Sequence, residues 1–181
     1  PYAVTKRVNE MYADVFGKVY GLNSVGLRYF NVFGPSQDPN GAYAAVVPKW
    51  IDAMHKGKAI YINGDGKTSR DFCYIKNVIQ ANLLASTCKK TISTNQVYNI
   101  AVGEKTSLNR LFKLIQKEFL ISDSRFKKVT PFYRDFREGD IMHSLADISK
   151  ARKHFNYQPS YKIAEGIQET VAWYLSTKRK N

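Results

Sequence analysis

Segments with strand character alternate with segments of helical periodicity along this chain, and that order constrains the fold more than any composition does. Tyr2 to about Tyr20 repeats apolar residues (Val4, Val8, Met11, Tyr12, Val15, Phe16) near helical spacing, with Gly17 and Gly21 marking its end. Val25 to Val32 reads as one buried strand, followed by the turn-rich loop Gly34–Gly41. A helix is expected from about Ala44 to His55, a strand from Ala59 to Ile62 and an extended piece from Asp71 to Ile75, running into a helix near 76–87. Gln96–Ala101 reads as a strand, Ser107 as the cap of a helix reaching about Phe119, and Val129–Tyr133 as extended. Asp147 should cap a short helix, and Ile163 to Leu175 forms the last one. No internal repeat or low-complexity linker interrupts the order, and the class it favours is α/β.

The 181 residues suffice for one large domain or one and a half small ones. A 44% apolar content with 12 Tyr and 10 Phe supports a true core. No apolar run approaches the ~20 residues that span a bilayer, so no membrane association is expected. The opening has no charged-then-apolar pattern, which reads as no signal peptide. Cys73 and Cys88 have neither metal-type spacing nor the number for a disulfide framework, and a reduced, cytoplasmic protein is expected. His55, His143 and His154 show no metal-site spacing either, so no metal is expected. The net charge of +13 would suit a nucleic-acid partner, yet the charges are scattered, clustering only at Lys89-Lys90, Lys127-Lys128 and Lys178-Arg179-Lys180. A solvated surface explains them better, with some basic residues kept for a phosphorylated ligand, and no nucleic acid is expected.

Tyr2 and Lys6 stand one turn apart on the first helix and point from one face. An ammonium beside a phenol favours the phenolate, and such a pair can move a proton. The same spacing also arises on helices as a plain solvated pair. The chain opens without an initiator Met and reads as starting inside a longer protein, with half of a site. No Gly-x-Gly-x-x-Gly is present: Gly64-Asp65-Gly66 meets Ser69 where the third glycine belongs, so a dinucleotide pyrophosphate has no ordinary cradle here.

Six blocks in order carry a resemblance. They are Pro1-Tyr2-Ala3-Val4-Thr5-Lys6; Leu27-Arg28-Tyr29-Phe30-Asn31-Val32-Phe33-Gly34-Pro35; Ile62-Asn63-Gly64-Asp65-Gly66; Ser69-Arg70-Asp71-Phe72-Cys73-Tyr74-Ile75; Tyr98-Asn99-Ile100-Ala101-Val102-Gly103; and Arg137-Glu138-Gly139-Asp140 with Ala146-Asp147-Ile148-Ser149-Lys150-Ala151. Together they resemble the C-terminal part of an extended short-chain dehydrogenase/reductase, closest to bacterial UDP-N-acetylglucosamine 4-epimerases. The resemblance implies an α/β fold made of a Rossmann-domain remnant plus the smaller substrate-binding lobe. Residues 1–31 would be the last helix and strand of the NAD-binding domain. Residues 32–181 would form the nucleotide-sugar lobe, with about 75–102 packing back on the Rossmann sheet. The Gly-rich NAD loop and a catalytic Ser or Thr would lie upstream of Tyr2.

By the same resemblance Tyr2 takes the proton from the sugar 4-hydroxyl, and Lys6 favours its phenolate and binds the ribose of NAD. Tyr29 and Phe30 lie against the nicotinamide, core packing being an equal reading for Tyr29. The Asn31 amide binds the diphosphate, Arg70 and Arg137 clamp it, and Asp140 accepts from ribose hydroxyls. Tyr61, Ile62 and Asn63 read the uracil. Ser144 stands at the gate beside the sugar 2-substituent, where a small residue admits an N-acetyl group, and Ala45 lines the same side. Met142 stands where relatives are expected to carry Arg. The implied activity is interconversion of UDP-N-acetylhexosamines through a 4-keto sugar, by a homodimer in which the Tyr-Lys helix meets its copy. The isolated chain should be inactive. The alternatives are a UDP-glucose 4-epimerase, a UDP-glucuronate decarboxylase or a dehydratase of the same superfamily, or a non-catalytic UDP-sugar-binding module.

Overall fold

The computed structural model describes residues 1–41, 44–88 and 94–178. The Lys89-Lys90 pair and the Arg179-Lys180 end of the last basic cluster lie outside the described residues. In chain order the elements are α1 (Tyr2–Tyr20), β1 (Val25–Tyr29), β2 (Val32–Phe33), α2 (Val46–His55), β3 (Tyr61–Asn63), β4 (Ser69–Arg70), β5 (Cys73–Tyr74) and α3 (Ile75–Thr87). They continue with β6 (Gln96–Ile100), β7 (Thr106–Ser107), α4 (Leu108–Ser122), a 3-10 helix at Ser124–Lys128, β8 (Phe132–Arg134), α5 (Ser149–Phe155) and α6 (Ile163–Lys178). This is the α/β order expected.

The strands pair two by two: β1 with β6, β2 with β5 and β3 with β8 are parallel, and β4 with β7 is antiparallel. Parallel pairing needs a long connection between partners, and each parallel pair here is separated by at least one helix. Two expectations are corrected. The single strand over 25–32 is two, because Asn31 takes φ 37° and turns the chain, so that β1 joins β6 while β2 joins β5. Of the extended piece expected from Asp71 to Ile75, only Cys73–Tyr74 is strand, as β5, while β4, just before Asp71, serves a different sheet. The cap assigned to Ser107 is present, its hydroxyl oxygen accepting from the Arg110 N–H at 3.2 Å. The cap expected at Asp147 is not made: Ile148 is the residue before α5, with no side-chain cap bond, and Asp147, two residues before the helix, accepts from the Ser149 N–H at 2.8 Å.

Burial falls into two clusters. One gathers Val47, Trp50 and Ile51 of α2, Leu111, Ile115 and Phe119 of α4, and Ile167 and Val171 of α6 over Ile62 of β3. The other joins Tyr98 and Ile100 of β6 to Val78 and Ala81 of α3 and to Ala151 and Phe155 around α5. The α4 residues recur at i, i+4, i+8, the spacing of one helix face.

α1 departs from this plan, since none of its residues is buried. At 100° per residue, Val4, Val8, Tyr12, Val15 and Val19 share one face, and Lys6, Asn9, Glu10 and Ala13, which border the groove beside β1 and β6, occupy the other. The polar face is tied to β1 through Glu10, whose carboxylate accepts from Arg28 at 2.5 and 2.6 Å and from Arg7 at 2.9 Å. The Arg28 hydrogen bond, then Arg7 and the charges of both arginines, outweigh partial desolvation and hold the Glu10 carboxyl down at about 2. A carboxyl depressed in the fold contributes stability that is present above its ordinary range and lost as pH falls through the depressed value. The helical signal of α1 should therefore weaken between about pH 4.5 and pH 2. Arg28→Ala should flatten that loss when followed by circular dichroism, and an unchanged acid transition in Arg28→Ala would remove Glu10 from the explanation.

Candidate functional site

Two concavities hold most of the candidate residues. The first, of about 200 Å³, is lined by Asn31, Val46, Trp50, Tyr61, Ile62, Asn63, Thr68, Arg70, Phe72, Leu108 and Asp140. It lies where the C-terminal end of β1 meets β3, β4 and the start of α2 and α4, the end of the strands at which α/β proteins gather ligands. Six of the residues singled out from sequence meet there: Asn31, Tyr61, Ile62, Asn63, Arg70 and Asp140. The second is an open groove of about 870 Å³ between α1 and the β1–β6 pair, and Tyr2, Lys6 and Tyr29 border it.

In the first cleft, Ile62 is fully buried and its side chain belongs to the core. Tyr61 is 43% exposed. The turn after β3 must be glycine at position 64: φ there is +74°, and a Cβ would overlap the Phe136 ring, which covers the turn. Arg70 is held in place by donating to the Ser69 carbonyl at 3.0 Å and the Met142 carbonyl at 3.4 Å. It also faces Asp140 across 3.6 Å, so the expected diphosphate clamp and the expected ribose acceptor form an ion pair. The Asn31 side-chain amide, expected to face a diphosphate, donates to the Asp71 carbonyl at 2.9 Å. In this structure it ties the chain reversal after β1 to the segment following β4.

The second groove presents Tyr2 and Lys6 to solvent, with the Lys6 ammonium 5.3 Å from the centre of the Tyr2 ring. The Tyr29 hydroxyl donates to the Asn82 side-chain oxygen at 3.0 Å, and about half of its surface stays open. Tyr29 thus stands at a groove wall and is not packed into the core.

Four candidates line neither concavity. Phe30 packs against the second core cluster, and its N–H donates to the Ile100 carbonyl at 3.1 Å, so its surroundings are those of a core residue. Ala45 precedes α2 and accepts from the Lys49 N–H at 3.3 Å; its neighbour Val46 lines the cleft instead. Arg137 is exposed at the start of the turn to Asp140. Ser144 is half-buried, and its N–H donates to the Ser69 carbonyl at 3.0 Å. His143, beside it, meets the Ser69 hydroxyl at 2.9 Å through Nδ1. These bonds pin the far end of the segment carrying Arg137 and Asp140 to β4.

Sequence reasoning gave no role to Asp71, which is fully buried between the cleft and the second core. Its carboxylate accepts from the N–H groups of Gly103 at 2.9 Å, Val102 at 3.0 Å and Ala146 at 3.4 Å, gathering three segments. Burial pushes its carboxyl above the ordinary range; the three N–H donors pull it back, and the charge of Glu104 adds to the rise. The Ser-Arg-Asp-Phe block contained the signal, because an acid between apolar residues must find donors. Arg134 was also missed, and its guanidinium lies over the Tyr61 ring.

Residues 1–101 match the NAD dependent epimerase/dehydratase family. A UDP-N-acetylglucosamine 4-epimerase from Methanobrevibacter ruminantium M1, solved with UDP-N-acetylmuramic acid, is 44% identical with a TM-score of 0.86, over 98% of this chain and 54% of that one. The UDP-glucose 4-epimerase of Thermotoga maritima, solved with UDP-glucose, is 36% identical with a TM-score of 0.88, over 98% and 54%. A UDP-glucuronate 4-epimerase from Thermodesulfobacterium geofontis is 33% identical over 96% of this chain and 50% of its own length. The chain spans about half the length of the curated relatives it matches. With a family match over more than half its residues and a fold shared with solved epimerases, the chain belongs to the NAD-dependent epimerase/dehydratase family.

Proposed function

We propose that this chain is the substrate-binding part, with the Tyr-Lys helix, of an NAD-dependent UDP-sugar 4-epimerase, and that its substrates are UDP-N-acetylhexosamines. The observation that carries the reading is the meeting of Asn31, Tyr61, Asn63, Arg70 and Asp140 around one cleft. In this reading residues 1–31 belong with the dinucleotide-binding domain and 32–181 form the sugar-nucleotide lobe, with 75–102 returning to the sheet. Pairing of β6 beside β1 supports that return.

The groove beside α1 fits the nicotinamide-ribose end of the cofactor. Lys6 can donate to ribose hydroxyls, the Tyr2 hydroxyl is accessible, and Tyr29 offers a flat wall. When bound, NAD supplies hydride acceptance and return at the sugar C4. Tyr2, as its phenolate, would take the proton of the 4-hydroxyl as the alcohol becomes a ketone, and would return it to that oxygen when hydride comes back to the other face of C4. Arg70 and Arg137 hold the diphosphate, for which a planar guanidinium gives paired donors. Arg70 would exchange its ion pair with Asp140 for that contact, freeing the carboxylate for ribose hydroxyls. The chain alone should not turn over substrate, because its sequence holds no Gly-rich pyrophosphate cradle.

The N-acetyl preference rests on Ser144 and is supported by the 44% identity to a UDP-N-acetylglucosamine 4-epimerase. In an active form of the protein, Ser144→Tyr should depress kcat/KM for UDP-N-acetylglucosamine about tenfold or more relative to UDP-glucose. Equal losses on both sugars would remove Ser144 from the gate and leave UDP-glucose epimerisation as the better reading. Thermal shift of the chain with UDP-N-acetylgalactosamine, set against generic duplex DNA, tests the ligand class itself. Stabilisation by DNA alone would overturn it.

The apolar face of α1 belongs to the same proposal, as the contact between two copies. Val4, Tyr12 and Val19 are each more than 60% exposed there. A stripe of that kind on an otherwise polar helix needs a cover. Light scattering should report a mass above the monomer, and Val8→Glu with Val15→Glu should restore the monomer. A clean monomer at high concentration would refute the contact.

A further inference from the structure

β3 and β8 run parallel with Tyr61 opposite Phe132 and Asn63 opposite Arg134. Arg134 therefore stands two positions along from Tyr61, within reach on the diagonal. Its guanidinium carbon lies 3.3 Å from the centre of the Tyr61 ring, and Phe132 flanks the same ring at 5.9 Å with a tilt of 39°. The ring so held lines the cleft together with Asn63 and Arg70. Both Tyr61 and Arg134 are exposed, so burial alone does not fix the ring. Contact with a flat cation, beside a tilted aromatic neighbour, does.

We propose that Arg134 is a positioning residue for nucleobase recognition: its guanidinium plane holds the Tyr61 ring in the orientation that meets the base of a pyrimidine nucleoside diphosphate. The inference rests on the nucleotide-sugar reading of the cleft. A ring stacked before the ligand arrives loses less freedom on binding, and affinity gains by the cost avoided. Arg134 acts through Tyr61 and touches no reacting atom. Lysine at 134 would keep the charge and lose the plane, which separates stacking from simple attraction for phosphate.

The test is calorimetric titration of the 181-residue chain with UDP and, separately, with inorganic pyrophosphate. Unaltered chain, Arg134→Lys, Arg134→Ala, Tyr61→Ala and the Tyr61→Ala/Arg134→Lys double variant are compared, with melting temperatures as the check on folding. Arg134→Lys should weaken UDP about threefold to tenfold and leave pyrophosphate affinity unchanged. In the Tyr61→Ala background the same change should have no further effect on UDP, since the ring it holds is gone. UDP binding by Arg134→Lys equal to that of the unaltered chain overturns the inference. So does a loss that persists in the Tyr61→Ala background. If the unaltered chain binds no UDP, the nucleotide reading of the cleft falls, and this inference falls with it; that outcome is visible before any variant is compared.

Discussion

Replacing Tyr2 with Phe in an active form of the protein is expected to lower kcat by about 10²–10⁴-fold while leaving the fold untouched. Epimerisation at a secondary alcohol moves a proton as well as a hydride, and in the proposed site the Tyr2 hydroxyl is the group that carries the proton. Tyr2 is also 75% exposed at the first turn of α1, so loss of its hydroxyl removes no buried contact and stability should change by less than about 0.5 kcal/mol. The Lys6 ammonium lies over the ring, 5.3 Å from its centre, and that contact survives in Phe. KM for the UDP-sugar should stay near its original value, since in the proposed site the diphosphate and base would be held in the other cleft. Turnover within tenfold of the unaltered enzyme would mean that another group carries the proton.

Asp71→Ala is expected to be the most damaging single change for stability. It strips the acceptor from three backbone N–H groups on two segments that do not adjoin in sequence, Val102-Gly103 and Ala146. Each buried donor left without a partner costs about 1–3 kcal/mol, and a net loss of about 3 kcal/mol or more is expected. For a chain of this size that lowers the melting temperature by roughly 10 °C. Asp71→Asn keeps one acceptor oxygen and should lose less. Because burial raises the Asp71 carboxyl, its own titration favours the fold at low pH and loses that favour as pH rises through the raised value. The asparagine variant has no such titration, so the gap between it and the unaltered chain should narrow as pH rises. A melting temperature for Asp71→Ala within about 2 °C of the unaltered chain would show that solvent or rearrangement satisfies the three donors.

Solvation alone distinguishes the two predictions. Tyr2 faces water and its hydroxyl has no hydrogen-bond partner among the described residues, so only chemistry can register the change. Asp71 sees no water, and its charge is tolerable only because three N–H groups converge on it.

Local rules determined much of this protein from the sequence. The periodicity of α1, α4 and α6, the Ser107 cap and the order of strands and helices follow from interactions within a few residues, which need no distant partner to be legible. The motif blocks named Asn31, Ile62, Asn63, Arg70 and Asp140, and these meet at one cleft with Tyr61, which precedes its block. What only the tertiary structure decided depends on pairs far apart in the chain. Asn31 breaks one apparent strand into two because β1 and β2 find different partners, β6 and β5. Arg70 meets Asp140, and Arg134 covers Tyr61, across separations of about seventy residues that no local pattern records. Phe30, in the same motif as Asn31, goes to the core because side chains alternate sides along extended chain and its side faces the α3–α5 cluster. The stripe on α1 was legible as an amphipathic face. That it points away from its own sheet was not, because periodicity fixes which residues share a face and only packing fixes where that face looks.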